Sequence, residues 1–81
     1  MAPKCPDQCR CSSDGLRVHC QGLALARVPS VHDMELSVEH LDLRNNGLSR
    51  IDVAELAKLD KLKTLLLGHN LIRHLEEVGF F

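Results

Sequence analysis

Residues 38–51 read VEHLDLRNNGLSRI, and the rest of the chain is organised around this stretch because its spacing recurs further along. Six positions recur 24 residues later with a residue of the same class, aliphatic at five of them and asparagine at the sixth. They are Val38, Leu41, Leu43, Asn46, Leu48 and Ile51, followed by Leu62, Leu65, Leu67, Asn70, Ile72 and Leu75. A fixed period of this length indicates an internal repeat, in which each unit buries its apolar side against the next.

Each repeat contains a triplet with leucine at both ends, at Leu41–Leu43 and Leu65–Leu67. Side chains alternate between the faces of a strand, so we expect the two outer leucines to point inward together. Asn46 and Asn70 follow where the chain must turn, and an amide side chain can pair with the unsatisfied backbone groups of such a turn. The first Asn-Gly dipeptide alone would favour a hairpin. The second unit keeps the asparagine but has Leu71 in place of the glycine, which favours the repeat.

The spacing LxxLxLxxNxLxxL of both units resembles the leucine-rich repeat. Leu56 and Leu59 stand where the 24-residue extracellular version of that repeat has apolar residues on its outer side. The resemblance implies an α/β fold, a right-handed solenoid whose short parallel strands line a concave face, and it implies binding rather than catalysis. Asp52 to Glu55 also has the form of a capping box, which predicts a short helix on the outer surface.

The four cysteines, Cys5, Cys9, Cys11 and Cys20, all lie in the first quarter of the chain. They allow three pairings, and the one with a Cys9–Cys11 bridge is disfavoured because so short a separation strains the disulfide. A four-cysteine zinc site is an alternative, although zinc knuckles usually show two separated C-x2-4-C pairs. The run CPDQCRC followed by VHC resembles the cysteine-rich cap that precedes extracellular leucine-rich repeats. That resemblance implies an N-terminal disulfide cap with the bridges Cys5–Cys11 and Cys9–Cys20.

Residues 16–29 fit the repeat frame as a degenerate first layer. Val18 and Cys20 take its inward strand positions, and Leu23 replaces the asparagine, as suits a terminal layer without an upstream neighbour. We therefore expect two parts. They are the cap with the degenerate first layer at 1–29, and the repeats at 30–81, of which two are in register and the last is truncated.

The connections around this first layer can also be predicted. The Asp-Gly dipeptide at 14–15 predicts a hairpin between strands at 10–13 and 16–20, which would cover the edge of the first parallel strand. In the crossover that follows the layer, Leu36 is the residue that we expect to turn inward, with Met34 as the second choice.

Composition limits the function classes. The chain has 81 residues with two Phe and no Trp or Tyr, so its core must be aliphatic. The net charge of −1, with both signs mixed, argues against a nucleic-acid partner, which needs a clustered basic surface. No apolar run approaches about 18 residues, so no membrane span is expected in this piece. There is no P-loop, G-x-S-x-G or H-E-x-x-H motif, and we expect no enzymatic activity.

Strand residues that flank the buried leucines should point to the opposite face of the sheet. The candidate partner-binding residues are therefore Arg17, His19, His40, Asp42, Arg44, Thr64 and Leu66. Gln21 and Gly68 follow two residues after His19 and Leu66 and extend the same alternation. The charged members can make charge-assisted hydrogen bonds, whereas Leu66 offers an apolar contact. Alternatively, Asp42 and Arg44 only pair with neighbours on adjacent strands.

Histidines are the remaining candidates for metal binding or acid–base chemistry. His19 and His40 would lie on the exposed side of neighbouring strands, where a bound metal or a pH response is conceivable. Isolated surface histidines are far commoner, so the sequence predicts neither a metal nor a cofactor.

The sequence as a whole indicates an extracellular protein-recognition module. We expect the N-terminal part of a cell-surface receptor or adhesion protein, with the core of a secreted matrix proteoglycan as the alternative and a cytosolic zinc-binding module as a distant one. Residues 1–4 lack the apolar segment of a secretory signal, so we expect a fragment that follows one. The third unit breaks off after Leu75 and leaves Phe80 and Phe81 exposed. Self-association through this C-terminal end is therefore expected.

Overall fold

The computed structural model describes residues 3–72 and the backbone of residues 74–75. The strands are Arg10–Cys11 (β1), Arg17–His19 (β2), His40–Asp42 (β3), Arg50–Ile51 (β4), Thr64–Leu66 (β5) and His74–Leu75 (β6). A 3-10 turn covers Val31–Asp33 and a short helix, α1, covers Val53–Leu56. One sheet has the strand order β1-β2-β3-β5, and β4 and β6 form a second one. The expectations for Phe80, Phe81 and the side chain of Leu75 lie outside the described residues.

The parallel strands follow the predicted repeat frame. β2 pairs with β3 and β3 pairs with β5 in parallel, so that Val18, Leu41 and Leu65 stand side by side. Parallel neighbours need a crossover between them, and each 23- or 24-residue unit supplies one. The internal repeat is therefore confirmed as a set of stacked layers, each of which adds one strand to the main sheet.

The predicted hairpin at the N-terminus is also confirmed. β1 runs antiparallel to β2, with Arg10 opposite His19 and Cys11 opposite Val18. Gly15 has a φ of 75°, which a glycine adopts without the steric penalty of a side chain. β1 thus covers the outer edge of β2, so this edge of the parallel strands is paired.

The core is aliphatic, as the composition requires. Its buried members are Val18, Cys20, Val31, Met34, Val38, Leu41, Leu43, Leu48, Ile51, Val53, Leu56 and Leu59. The next layer contributes Leu65, Leu67 and Ile72, which pack against this cluster but are only partly buried. Burial therefore extends continuously from the cap into the second repeat. Within the described residues, no helix has the length and apolar character needed to cross a bilayer.

The prediction for the first crossover was wrong. Met34 is fully buried, with 0% of its surface exposed, whereas Leu36 is 61% exposed. The reason is the 3-10 turn, in which side chains three residues apart lie on the same side, so Val31 and Met34 turn inward together. Ser30 begins this turn, because its hydroxyl accepts a hydrogen bond from the His32 amide at 3.1 Å.

Asn46 joins two layers through its side chain. Its Nδ2 donates to the carbonyl oxygens of Cys20 at 2.9 Å and Leu43 at 3.0 Å. Its Oδ1 accepts from the backbone amides of Leu23 at 2.9 Å and Leu25 at 3.0 Å. One side chain therefore satisfies polar groups of the preceding turn that would otherwise be unpaired in a part-buried position.

Asn70 repeats this arrangement one layer later. Its Nδ2 donates to the carbonyl oxygens of Leu43 at 2.9 Å and Leu67 at 3.0 Å, and its Oδ1 accepts from the Leu48 amide at 3.0 Å. Positive φ occurs at the residue before each asparagine, with 58° at Asn45 and 57° at His69. The hairpin alternative for the first Asn-Gly dipeptide is therefore wrong, and the ladder of asparagines is confirmed.

Helix α1 begins where the capping pattern placed it. The Asp52 carboxylate accepts a hydrogen bond from the Glu55 amide at 3.1 Å, which satisfies one of the free donors of the first turn. Val53, Leu56 and Leu59 are all buried, so the helix and the turn after it cover the core.

Two disulfides join the cap, between Cys5 and Cys11 and between Cys9 and Cys20. These are the pairs that the resemblance implies. Because every cysteine is oxidised, none offers a thiolate to zinc, and the structure contradicts the zinc-binding alternative for this cluster.

We predict that Asn46→Ala lowers the free energy of unfolding by at least about 2 kcal/mol, because each buried polar group left unpaired costs about 1–3 kcal/mol. Gln21→Ala removes an exposed amide side chain and is the matched control, with an expected effect within about 0.5 kcal/mol. Urea denaturation followed by circular dichroism measures both variants. Equal midpoints for the two would contradict the role of the asparagine between the layers.

Candidate partner-binding face

The parallel register collects most of the predicted binding residues into two rows across the sheet. Arg17, His40 and Thr64 stand side by side in the first row. His19, Asp42 and Leu66 form the second row. Arg44 follows β3 by two residues and contacts Asp42 through its side chain. We call these seven residues the sheet face.

Exposure differs between members of the sheet face. Arg17 and Arg44 are exposed, while His19, His40, Thr64 and Leu66 are half-buried. Asp42 is only 2% exposed, so the prediction that it is an exposed contact residue was wrong. The cause is the Arg44 side chain, which folds back to bind the carboxylate and shields it from solvent. His19 and Leu66, the register partners of Asp42 on the two neighbouring strands, flank it on either side.

Arg44 holds Asp42 through three hydrogen bonds. Its Nε donates to Oδ1 at 2.9 Å and its Nη2 donates to Oδ2 at 2.7 Å, a fork of two charge-assisted bonds. The Arg44 backbone amide also donates to Oδ1 at 3.1 Å. The pair therefore forms within one chain segment, two residues apart, and not across adjacent strands as the alternative interpretation had it.

This pairing changes the acidity of both groups. The hydrogen bond from the Arg44 side chain is the main cause that lowers the pKa of Asp42 below its ordinary value, and burial acts against it. The same hydrogen bond raises the pKa of Arg44. The carboxylate is consequently ionised at neutral pH, although it is almost completely buried.

The two histidines of the sheet face are neighbours. The ring centres of His19 and His40 lie 5.5 Å apart, with the ring planes tilted by 49°. Ligand atoms of His19, His40 and Asp42 all lie within 4.8 Å of one another. The structure therefore brings together three groups that could hold a cation, where the sequence suggested only two.

The sheet face extends into a shallow groove at the beginning of the parallel strands. The groove is lined by Ser12, Asp14, Leu16, Arg17, His19, Glu39, His40, Lys63 and Thr64. Asp14 accepts from the Ser12 hydroxyl at 2.6 Å, and this bond is the main cause that lowers the pKa of Asp14. Glu39 and Lys63, two further lining residues, form an ion pair at 3.6 Å.

Sequence reasoning missed five of the groove residues because they lie outside the strands and take no apolar position of the repeat; these are Ser12, Asp14, Leu16, Glu39 and Lys63. One signal was available: Glu39 and Lys63 occupy equivalent places one repeat apart, immediately before β3 and β5. Opposite charges at equivalent positions of neighbouring layers are brought close by the stacking.

We predict that Asp42→Asn lowers the melting temperature at pH 7. Since the folded-state pKa of Asp42 lies below its unfolded value of about 3.9, the stabilisation is present above that pH and is lost as the pH falls through the folded pKa. The difference from the unmodified chain should therefore shrink as the pH falls below about 4. Thermal unfolding followed by circular dichroism measures it. Asp60→Asn, at an exposed position, is the control, and a constant difference at every pH would contradict the assignment.

Several known proteins are similar to this chain in sequence. Podocan from Mus musculus is 40% identical over 78 residues, which is 94% of this chain and 12% of podocan. Human leucine-rich repeat-containing G-protein coupled receptor 5 is 33% identical over 79 residues, 94% of this chain and 8% of the receptor. Rat lumican is 32% identical over 75 residues, 91% of this chain and 21% of lumican. The chain spans about a fifth or less of these relatives.

Residues 37–81, more than half of the chain, match the family described as leucine rich repeat. This range begins just before β3 and contains both units of the 24-residue pattern. The match agrees with the parallel strands, the ladder of asparagines and the disulfide cap described above. The chain therefore belongs to the leucine-rich repeat family.

Proposed function

We propose that this chain is an extracellular protein-recognition module, and that the sheet face, as the concave side of a right-handed solenoid, contacts a protein partner. The observation that carries the proposal is the alignment of six non-core side chains in two rows on hydrogen-bonded strands. Strands hold side chains more rigidly than loops do, so a partner loses little free energy in ordering them.

The chemistry of the sheet face suits a protein surface. Arg17 is exposed and can pair with a carboxylate of the partner, while half-buried Leu66 adds apolar area on the same face, two strands away. Arginine is a common energetic anchor in protein interfaces, and the fully buried part of an interface is more apolar than its rim. None of the face residues has the nucleophile-and-base arrangement that catalysis would need, and we propose a binding function without enzymatic activity.

The two disulfides support an extracellular location, because such bridges form and persist in oxidising compartments. A cell-surface receptor or adhesion protein is our first proposal for the parent protein. One similar protein, leucine-rich repeat-containing G-protein coupled receptor 5, is a receptor by its name. The core of a secreted matrix proteoglycan is the alternative, and the sequence beyond the repeats would distinguish the two because an anchor would lie there.

We predict that a photo-cross-linking residue at Arg17 or Thr64 captures a cell-surface or matrix protein, and that the same residue at Lys58 or Lys61 does not. Lys58 and Lys61 are exposed and lie outside the sheet face, so they are matched controls. Excess unlabelled chain should abolish the capture, whereas excess Leu66→Glu should compete at least about tenfold less well, since a hot-spot change costs about 2 kcal/mol or more. Asp42→Arg is unsuitable here because Asp42 is buried.

Mass spectrometry of the cross-linked product identifies the partner, and circular dichroism checks that each variant is folded. Capture from Lys58 or Lys61 but not from the sheet face would contradict the proposal. The partner site would then lie on the cap or on the side of helix α1.

Self-association is a second proposal, for the 81-residue chain in isolation. Leu65 and Leu67 are only partly buried, and Leu71, a few residues further along the chain, is 66% exposed. Apolar surface of this kind favours association between two copies.

We predict that the weight-average mass of the chain rises with concentration in sedimentation equilibrium, and that the Leu71→Lys variant remains a monomer. Leu36→Lys, at another exposed leucine, is the control, and a stable monomer at millimolar concentration would refute the proposal.

A further inference from the structure

We propose that His19, His40 and Asp42 form a binding site for one divalent transition-metal ion of the zinc type. The three side chains are the group of potential ligands that the described residues bring within 4.8 Å of one another. Two imidazoles and one carboxylate are a donor set that zinc accepts, with a fourth position left for water. The site stands on its own geometry and does not depend on the proposed protein partner.

The sheet holds the three ligands by backbone pairing. His19 on β2 is directly beside Asp42 on β3 in the parallel register. His40 precedes Asp42 by two residues, so both side chains leave β3 on the same face. Because neighbouring strands are separated by about 4.8 Å, His19 and Asp42 start from adjacent positions, and His40 lies on the same face one row away.

The ring geometry is close to that of a bound pair. Two imidazoles on one tetrahedral zinc ion, with Zn–N bonds of about 2.0–2.1 Å, have their ring centres about 5 Å apart. The ring centres of His19 and His40 are 5.5 Å apart. The ligand atoms, within 4.8 Å of one another, must approach to about 3.4 Å around such an ion. Side-chain rotations that bring these atoms closer by up to about 1.4 Å are sufficient, and both rings are only half-buried, which leaves them room to move.

Asp42 keeps coordination capacity despite its ion pair. Its Oδ1 accepts two hydrogen bonds from Arg44, whereas Oδ2 accepts one, and a carboxylate offers about four lone pairs in total. Oδ2 therefore retains a lone pair for a metal. Arg44 has two opposing effects: its positive charge weakens the binding of a cation, and its hydrogen bonds orient the carboxylate as outer partners of metal ligands commonly do.

Both histidines are only half-buried, so the ion would be reached directly from solvent. The four cysteines cannot compete for it because they are all oxidised. His32 is exposed on the 3-10 turn and belongs to no such cluster in the described part of the chain. This gives a matched control for the loss of one imidazole.

Isothermal titration of the whole chain with zinc chloride at pH 7.5 tests the site. We expect one ion per chain, and a loss of affinity of more than about tenfold in His19→Asn and in His40→Asn, since even outer-shell changes cost about 10–100-fold. Asp42→Asn should also lose at least about tenfold, and His32→Asn should bind as the unmodified chain does. Circular dichroism verifies that each variant is folded.

Perturbation of the imidazole carbon–proton NMR signals by zinc gives a readout for each histidine. His19 and His40 should shift together at one equivalent of zinc, and His32 should not. Absence of saturable binding, or binding that survives both His19→Asn and His40→Asn, would overturn the proposal. Binding unchanged in Asp42→Asn would overturn the three-ligand site.

Discussion

The structure depends on the asparagine that joins each layer to the one before it. A layer of this kind has a sharp turn after its strand, and the turn leaves backbone amides and carbonyls that no strand pairing can satisfy. Asn46 supplies both a donor and an acceptor at that point, within 3.0 Å of the groups it pairs with in the first layer. The apolar residues between the layers can therefore be buried without leaving polar groups unpaired beside them.

Much of the fold followed from the sequence because its determinants are local or periodic. The register of β2, β3 and β5 is the repeat period, and the Asp-Gly turn and the capping residue Asp52 act within a few residues of themselves. The presence of Leu23 where the later layers have an asparagine can also be explained by local hydrogen bonding. Asn46 already accepts from the Leu23 amide, and the other edge of β2 is paired with the antiparallel strand β1 rather than with another parallel layer.

The errors arose where a short contact outside the period decided the outcome. Met34 rather than Leu36 is buried because Ser30 begins a 3-10 turn, and a three-residue period is not visible in so short a segment. Asp42 was expected on the surface because strand alternation points it there. Alternation is correct for its direction but gives no information on Arg44, whose side chain covers it. The proximity of His19 to Asp42 likewise exists only after the layers are stacked.

The disulfides have a consequence beyond the stability of the cap. β1 is only two residues long, and the Cys9–Cys20 bridge ties the residue before it to the residue after β2, while Cys5–Cys11 joins the preceding segment to β1 itself. So short a strand has few hydrogen bonds of its own, and without the bridges it would separate readily from the sheet. The edge of β2 would then be open to a strand from another molecule. We therefore expect a chain whose bridges have not yet closed to associate with other chains more readily than the oxidised chain does.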